Sequence, residues 1–300
     1  MHLLLIGGGG QLGRCLQDRA PASWRITAPS SGRLDLADIP AVQGFFSQNS
    51  ATPFDGVINA SAYNAVDAAE TDQAGAFAVN AQGPTELARL ARACGARFVH
   101  VSTDYVFSGA SGRPYTEDDA PDPVSVYGRS KRAGELGVLE HNPDALVIRT
   151  SWLYSEYGRN FVKTMLALAA QGRALTVVND QVGTPTYAGD LADVIIGLIQ
   201  RPDIKGGLYH YAGADIMSWF DLACAALEGL PHNIAPVDSA GYPTVAPRPA
   251  CSALACPRVS ALGFLPQPQA ARLAHVRQQV MSAGGQVVHP VQKDVGNQGG

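Results

Sequence analysis

Over residues 1–150 the chain alternates short, continuously apolar runs with longer segments of helical periodicity. Runs of consecutive Leu, Val and Ile are typical of strands that are buried on both faces of a parallel sheet. The predicted strands are His2–Ile6, Trp24–Thr27, Gly56–Asn59, Arg97–Ser102 and Ala145–Arg149. The predicted helices are Gln11–Arg19, Pro40–Gln48, Gln73–Cys94 and Ser125–Glu140. This alternation predicts an α/β fold of Rossmann type, with a doubly wound parallel sheet.

A glycine-rich loop joins the first predicted strand to the first predicted helix. Gly7 permits a tight turn, Gly10 lets the backbone approach a diphosphate, and Gly13 lets the helix pack close to the strand. The free N–H groups and positive potential at the start of the helix favour an anion. The loop is therefore predicted to bind the pyrophosphate of NAD(P).

The residues after the second strand bear on the choice of dinucleotide. Domains that prefer NAD usually place an acid there for the adenosine ribose. This chain has Ala28–Arg33, which contains no carboxylate, and Ser30, Ser31 or Arg33 could bind a 2′-phosphate. We expect NADPH to be the cofactor, with NADH also possible. Asp35 follows, and either bonds the adenine amine or shapes the turn before the next helix.

A candidate catalytic trio follows the fourth strand. Tyr127 and Lys131 stand four residues apart on one helix face, and Thr103 lies at the carboxyl end of a strand, where α/β sheets bind ligands. Reduction of a ketone needs a hydride on carbon and a proton on oxygen. We expect Lys131 to lower the pKa of Tyr127 so that the phenol can donate that proton, and Thr103 to hold the carbonyl oxygen. Alternatively, Thr103 only caps the strand end.

After residue 150 the alternation loosens. The predicted helices there are Arg159–Gln171, Ala188–Gln200, Ser218–Leu227 and Gln267–Ser282, and the predicted strands are Leu175–Val178, Leu208–Tyr211 and Ile234–Val237. We assign residues 1–151 to an NAD(P)-binding domain and 152–283 mainly to a smaller C-terminal substrate domain, with helix 188–200 returning to the first. Residues 284–300 offer little to bury and are predicted to be a flexible tail.

Composition excludes several other kinds of protein. A formal net charge of −4 with 16% charged residues does not suit a nucleic-acid binder. No apolar run approaches the roughly 20 residues that a membrane helix needs, so we expect a soluble, cytoplasmic protein without a membrane partner. The five scattered cysteines form neither a disulfide framework nor a zinc site, and no metal site is predicted.

In this order the motifs resemble the dTDP-4-dehydrorhamnose reductase family, which belongs to the extended short-chain dehydrogenases/reductases, over about residues 1–265. The segments that carry the resemblance are Gly7–Gly13, Asn59–Glu70, Ser102–Phe107, Tyr127–Lys131, Arg149–Tyr154, Asn160–Met165, Asn179–Thr186 and Arg248–Pro249. The resemblance implies reduction of the 4-keto group of dTDP-4-dehydro-L-rhamnose to dTDP-L-rhamnose, a precursor of O-antigen and other cell-surface polysaccharides.

The resemblance also implies roles for individual residues. Those expected to contact the cofactor are Gly10, Gln11 and Leu12 at the pyrophosphate, Asp35 and Leu36 at the adenine, and Ala62 and Tyr63 after the third strand. Tyr127 is implied as the proton donor, Lys131 as the ribose ligand, and Thr103 as the residue that tunes the donor. Thr103, Asp104 and Trp152 are implied to face the sugar. We interpret Val66–Glu70 as a helix start.

One departure from the family concerns metal binding. Some members dimerise through magnesium held by glutamates, one of them early in the first helix, where this chain has Arg14-Cys15-Leu16-Gln17. A thiol is a poor magnesium ligand, so a magnesium-bridged dimer is doubtful. For the oligomeric state, the sequence is compatible with a monomer or a homodimer.

Two other classes of function are open from the sequence: another enzyme of the same fold, or a non-catalytic subunit. A nucleotide-sugar dehydratase usually adds a second acid beside the threonine, but here Asp104 is followed by Tyr105; an epimerase or another reductase of the same fold is a further alternative. A non-catalytic subunit like the one that regulates methionine adenosyltransferase is the other possibility. Such a subunit has no use for the intact trio of Thr103, Tyr127 and Lys131.

Overall fold

The computed structural model describes residues 1–282 and is built around a parallel sheet. The strands are β1 His2–Ile6, β2 Arg25–Thr27, β3 Gly56–Asn59, β4 Arg97–Thr103, β5 Leu146–Thr150, β6 Leu153–Tyr154, β7 Ala174–Val178, β8 Val182–Gly183, β9 Thr186–Tyr187, β10 Gly207–His210, β11 Met217–Ser218 and β12 Asn233–Val237. The helices are α1 Gln11–Arg19, α2 Ile39–Gln48, α3 Val66–Ala69, α4 Gln73–Phe77, α5 Gly83–Ala93, α6 Val126–His141, α7 Phe161–Ala170, α8 Ala188–Ile199, α9 Trp219–Ala226, α10 Pro257–Ala261 and α11 Gln269–Ser282.

Six strands form the central sheet, in the order β10-β5-β4-β3-β1-β2, and every neighbouring pair is parallel. The order reverses between β1 and β3, and ligands of doubly wound sheets bind in the crevice that such a reversal opens at the carboxyl ends of the strands. The glycine loop follows β1 at this edge, and the candidate catalytic trio lies at and beyond the end of β4. The predicted fold class is confirmed.

Both faces of the sheet are covered by helices. Leu3 and Leu5 pack in one apolar cluster with residues of α1 and α8, whereas Leu4 and Ile6 pack in another with residues of α2 and α5. Successive residues of β1 therefore bury their side chains on opposite faces, which explains why this strand is apolar throughout. We call the sheet with α1, α2, α5, α6 and α8 the Rossmann lobe.

A second cluster of elements, which we call the second lobe, consists of α7, α9, α11 and the parallel pair β7–β12. Its core includes Val162 from α7, Leu222 from α9 and Leu273 from α11, all at most 1% exposed. Two later elements, α8 and β10, lie in the Rossmann lobe and not in this cluster. The chain therefore passes between the lobes more than once.

Most predicted elements are present, with ends that differ by one or two residues. The predicted helix Gln73–Cys94 is interrupted by a π-helical turn at Ala78–Gln82, which the periodicity did not reveal. The predicted strand at Leu208–Tyr211 is β10, an edge strand of the main sheet. The predicted tail, 284–300, lies outside the described residues. Within residues 1–282 no helix is both long and apolar enough to cross a membrane.

Candidate active site

The glycine loop after β1 brings the backbone of α1 against the strand. Gly7 has φ +82°, and a Cβ there would stand 2.8 Å from the backbone of Ala60. A Cβ at Gly13 would stand 2.2 Å from the Gly7 carbonyl oxygen. Gly10 precedes α1; among residues 1–282 no side chain caps this helix, and its first turn carries no acid. The uncapped N–H groups and the bare backbone suit a diphosphate.

Gln11 and Leu12, both expected at the pyrophosphate, direct their side chains elsewhere. Leu12 is buried in the core of the Rossmann lobe. The Gln11 amide oxygen accepts hydrogen bonds from Asn160 Nδ2 (2.8 Å) and Ser155 Oγ (3.1 Å), beyond β6. The side chain of Gln11 therefore ties the glycine loop to the start of the second lobe. Any contact of these two residues with a diphosphate would come from their backbone N–H groups.

The turn after β2 holds the residues expected near the adenosine. The Asp35 carboxylate accepts a hydrogen bond from Ala37 N at 2.9 Å, as the turn-shaping interpretation requires. Leu36 is buried, and its backbone lies so close to α5 that a Cβ on Gly83 would come within 2.6 Å of the Leu36 carbonyl oxygen. The Leu36 side chain belongs to the core. The Asp35 side chain is exposed, and its contact with adenine stays a prediction.

The end of β2 lies beside the glycine loop. A Cβ on Gly8 would stand 2.8 Å from the Cβ of Ala28. The residues that follow, 30–33, are exposed, and the only charged side chain among them is the guanidinium of Arg33. This surface would not repel a 2′-phosphate, which agrees with the expected use of NADPH.

Asn80 joins the loop after β3 to the helix that carries Tyr127. The Asn80 side chain accepts a hydrogen bond from Tyr63 N (2.8 Å) and donates to Tyr63 O (3.2 Å) and Ser130 Oγ (3.0 Å). Ser130 Oγ in turn donates to the carbonyl of Tyr127 at 2.8 Å. Asn80 lies in the π-helical turn and is fully buried. Asn80 was not among the predicted site residues; a polar residue within an otherwise packed helix was the available signal.

The position of Tyr127 is set by the start of α6. Ser125 Oγ accepts from Gly128 N at 3.1 Å, and the Glu70 carboxylate accepts from Val126 N at 2.8 Å. A Cβ on Gly128 would stand 2.1 Å from the carbonyl oxygen of Tyr105, so α6 packs directly on the short 3-10 turn that follows β4. These contacts bring Tyr127 to the carboxyl end of β4.

The three residues of the predicted trio converge and are all buried. Burial raises the pKa of Tyr127, and the nearby Thr103 hydroxyl opposes that rise. Lys131 Nζ donates to the carbonyl of Val101 on β4 at 2.7 Å. Burial lowers the pKa of Lys131 to about 8, against the opposing charge of Glu135. The expected lowering of the Tyr127 pKa is therefore not present in the protein alone, because burial dominates and the ammonium group is bonded to a strand carbonyl.

Beneath Lys131 lies a buried ion pair that the sequence did not indicate. Glu135, one turn after Lys131, accepts two hydrogen bonds of 2.7 Å from the guanidinium of Arg149 on β5 and one of 2.8 Å from Arg132. Although burial works against its charge, Arg149 holds the pKa of Glu135 below its usual value. Glu135 thus stays ionised and supports a positive charge on Lys131.

Asp104 places an unsatisfied acceptor in the same pocket. Its side chain is 2% exposed, and Oδ1 accepts a hydrogen bond from Thr103 Oγ1 at 3.1 Å. Oδ2 has no hydrogen-bond partner within residues 1–282. Burial raises the pKa of Asp104 to about 7, while the hydroxyls of Ser252 and Thr103 oppose the rise. A buried, unpaired carboxyl oxygen is costly unless a ligand completes it, so Asp104 is suited to receive a sugar hydroxyl.

Trp152, two residues after β5, has a strained backbone. Its φ of +48° is the one left-handed value for a residue other than glycine in the described chain. This conformation costs roughly 1–2 kcal/mol for a residue with a Cβ. The indole stacks on that of Trp219, with ring centres 3.6 Å apart and an interplanar angle of 6°. A Cβ on Gly183 would stand 2.5 Å from the indole, so Trp152 is also packed against β8.

The segment Val66–Glu70 does start a short helix, as predicted, but it also makes long-range contacts. Asp67 accepts from Arg248 Nη2 (3.0 Å) and from Ala246 N (3.1 Å). The Arg248 guanidinium lies over the ring of Tyr105, 5.9 Å from its centre, and Tyr105 packs edge-on against Tyr127 at 5.7 Å. Arg248 therefore brings a positive charge close to the trio, a position that was not predicted from the sequence.

The chain offers little to a metal ion in the described region. No group of three or more His, Cys, Asp or Glu side chains within residues 1–282 is arranged to hold one. Cys15 is 1% exposed in the core of the Rossmann lobe. Burial raises the pKa of the Cys15 thiol to about 12. A protonated, enclosed thiol is not available to a cation at this position.

The arrangement combines a diphosphate cradle, a buried phenol and a buried amine at one edge of the sheet. A dinucleotide that entered along the crevice would run from the glycine loop toward Lys131 and Tyr127. The residues at and just after the carboxyl ends of β4 and β5, Thr103, Asp104 and Trp152, would then surround the group that reacts. The geometry suits transfer of a hydride and a proton to a carbonyl compound.

Comparison with known proteins supports the same family. The family model described as the RmlD substrate binding domain matches residues 1–282. A dTDP-4-dehydrorhamnose reductase from Mycolicibacterium smegmatis is 42% identical over 272 residues, which cover 88% of this chain and 81% of that protein.

Two solved structures extend the similarity to the fold. A dTDP-4-dehydrorhamnose reductase from Clostridium acetobutylicum superposes with a TM-score of 0.88 at 35% identity, over 94% of this chain and 100% of that one. A dTDP-4-dehydrorhamnose reductase from Bacillus anthracis, solved in complex with NADP, gives a TM-score of 0.85 at 33% identity, over 94% of this chain and 99% of that one. The likeness therefore spans both lobes.

Proposed function

Because this chain belongs to the family of dTDP-4-dehydrorhamnose reductases, we propose that it reduces the 4-keto group of dTDP-4-dehydro-L-rhamnose to dTDP-L-rhamnose with NADPH. The observation that carries the proposal is the convergence of Tyr127, Lys131 and Thr103, all buried, at the carboxyl end of β4, on the same edge of the sheet as the glycine loop. The product would serve as a precursor of O-antigen and other cell-surface polysaccharides.

The residues at the crevice fit a dinucleotide. The uncapped start of α1 and the backbone of Gly10–Leu12 would hold the diphosphate, and Ser30, Ser31 or Arg33 the 2′-phosphate. Tyr63, whose backbone is held by Asn80, and the preceding Ala62 would line the cofactor past β3. NADPH, when bound, supplies the hydride.

Tyr127 would deliver the proton to the keto oxygen. Its phenol lies in a buried site, where water cannot compete for that oxygen. Thr103 would donate a hydrogen bond to the same oxygen and so fix its distance from the phenol. Lys131, whose ammonium has donors left after its bond to Val101, would bind the nicotinamide ribose and stabilise the phenolate that remains.

The sugar would be held by residues that follow β4 and β5. Asp104 Oδ2 would accept a hydrogen bond from a sugar hydroxyl, which satisfies an otherwise unpaired buried oxygen. Trp152 would supply an apolar surface. Arg248, held by Asp67 near Tyr105, would contribute a positive charge on the side of the negatively charged nucleotide.

A direct assay tests the proposal. Oxidation of NADPH is followed by absorbance when dTDP-4-dehydro-L-rhamnose is added, and the product is identified by chromatography against dTDP-L-rhamnose. We expect stoichiometric oxidation and that single product, with NADPH used at least as well as NADH. An epimerase or dehydratase would not consume NADPH, and a regulatory subunit would not turn over at all. A tenfold preference for NADH in kcat/KM would contradict the cofactor assignment.

A further inference from the structure

Trp152 lies at the same carboxyl edge of the sheet as Thr103. Thr103 of β4 and Thr150 of β5 are paired in register at the carboxyl edge of the sheet, and Trp152 follows Thr150 by two residues. Ser151, between them, is anchored by its hydroxyl to Thr184 O at 2.5 Å. The indole of Trp152 is only partly buried, so part of its surface remains open.

The backbone at Trp152 does not favour the residue that is there. Glycine would adopt a φ of +48° without steric penalty, whereas tryptophan must be held in it. Trp219 stacks on the indole at 3.6 Å, and Gly183 leaves no room on β8 for the ring to shift. A bulky side chain kept in a strained conformation by two neighbours is typical of a side chain whose orientation matters.

Trp219 is itself firmly placed. It is the first residue of α9, and the preceding Ser218 forms a capping box with Asp221, with hydrogen bonds of 3.0 Å (Asp221 N to Ser218 Oγ) and 2.9 Å (Ser218 N to Asp221 Oδ2). Phe161 of α7 packs on Trp219 at 4.8 Å. The second lobe thus fixes the plane of Trp219, and Trp219 fixes the plane of Trp152.

We infer that Trp219 is a positioning residue for the sugar: its stack with Trp152 fixes the indole against Gly183, so that the part of the ring that stays exposed forms an apolar wall for the 6-deoxyhexose and orients the keto group toward Tyr127. This inference rests on the proposed function for the identity of the sugar. A sugar that lacks a hydroxyl at carbon 6 offers a methyl group and C–H bonds to such a wall, and aromatic surfaces bind that kind of face through dispersion and burial.

The experiment compares Trp219→Ala, Trp219→Phe and Gly183→Ala. Trp219→Ala frees the indole on one side, and the new Cβ of Gly183→Ala displaces it from the other. We expect both to raise KM for the keto sugar at least about 10-fold, with KM for NADPH changed less than about 2-fold. Trp219→Phe retains an aromatic face and should recover most of the loss. Leu222→Ala, in the core of the second lobe on the same helix, is the control for lost stability alone.

Direct binding separates this inference from the proposed function. Titration of each variant with dTDP-L-rhamnose is followed by tryptophan fluorescence in a Trp24→Phe background, which leaves Trp152 and Trp219 as the only indoles. If the wild type binds the nucleotide sugar through the pair but does not reduce the ketone, the proposed function fails and the inference stands. If Trp219→Ala keeps its affinity and its sugar KM, or if Leu222→Ala loses both equally, the inference is wrong.

Discussion

At the scale of single residues, Tyr127 is the side chain on which the proposed chemistry depends most. Phenylalanine keeps the ring that packs against Tyr105 and removes only the hydroxyl. We expect Tyr127→Phe to fold and to bind NADPH normally but to lower kcat at least about 100-fold, since general-acid catalysis commonly contributes that much. Steady-state kinetics and a thermal-shift titration with NADPH measure the two properties. Turnover near that of the wild type would remove Tyr127 as the donor.

The charge of Lys131 makes activity dependent on pH. Its pKa is lowered by burial to about 8, and only the protonated amine can stabilise the phenolate. We therefore expect kcat/KM for the sugar, measured from pH 6 to 10, to fall as pH rises through about 8. The charge on Glu135 opposes this lowering of the pKa from one turn away.

Asp104 is a second titrating group at the site, with a pKa raised by burial to about 7. Tyr105, Tyr127 and, beyond Tyr105, Arg248 also face this pocket. Asp104→Asn removes the titration of Asp104 and should leave the decline near pH 8 in place. A flat profile across that range in the wild type, or a decline that disappears in Asp104→Asn, would show that Lys131 does not control it.

At the scale of elements, substitutions at the glycines of the loop should affect either cofactor binding or stability, depending on the position. Gly10 has extended φ and ψ of −77° and 177°, and an added Cβ would meet only the Gly7 carbonyl oxygen, at 3.3 Å. We expect Gly10→Ala to change the free energy of unfolding by less than about 1 kcal/mol. It should nevertheless weaken NADPH binding at least about 10-fold, because the methyl group stands where the diphosphate must approach.

Gly13→Ala should instead lower the free energy of unfolding, with little effect on NADPH binding. Its Cβ would stand 2.2 Å from the Gly7 oxygen, and overpacking of this kind costs about 1–3 kcal/mol of stability. Gly44→Ala in α2, where a Cβ meets nothing within 4 Å, is the matched control and should leave NADPH affinity unchanged. Denaturant titration and calorimetric binding measure both quantities. Equal losses of affinity in Gly10→Ala and Gly44→Ala would contradict the assignment of the loop.

At this scale, some features of the fold could be predicted from the sequence and others could not. Runs such as Leu3–Ile6 predict a strand that is buried on both faces, because the apolar pattern lies within the strand itself. The π-helical turn at Ala78–Gln82 depends on the hydrogen bonds that Asn80 makes across the fold, and the strained φ of Trp152 depends on Trp219, which lies far along the chain. Such features arise from contacts between distant residues, so no local pattern carries them. For the same reason Arg248 was seen only as part of a motif, without its partner Asp67.

At the scale of the whole molecule, the Rossmann lobe is completed late in the chain. Its edge strand β10 and its helix α8 both follow residue 152, and the side chain of Gln11 is bonded to Asn160. We propose that the division at residue 151 separates cofactor binding from substrate binding and does not separate two folding units. Residues 1–151 alone would leave β5 with an unpaired edge and the core around Leu12 uncovered.

Whether activity requires a metal ion is also a question about the whole molecule. The thiol of Cys15 is enclosed, and no step assigned to Tyr127, Thr103 or Lys131 calls for a cation. We expect activity to be insensitive to EDTA, and the mass measured by light scattering to be the same with and without magnesium. Loss of activity on chelation, restored by magnesium, would contradict this expectation.

The stack of Trp152 on Trp219 connects the segment that follows β5 to the second lobe. Everything proposed to move a hydride or a proton comes from the Rossmann lobe, while Trp219 and Gly183 come from later segments. Under the proposed assignment, substitutions around α9 and β8 would change which deoxysugar is accepted without altering Tyr127. A laboratory library confined to those positions would sample new sugar substrates on an unchanged reductase.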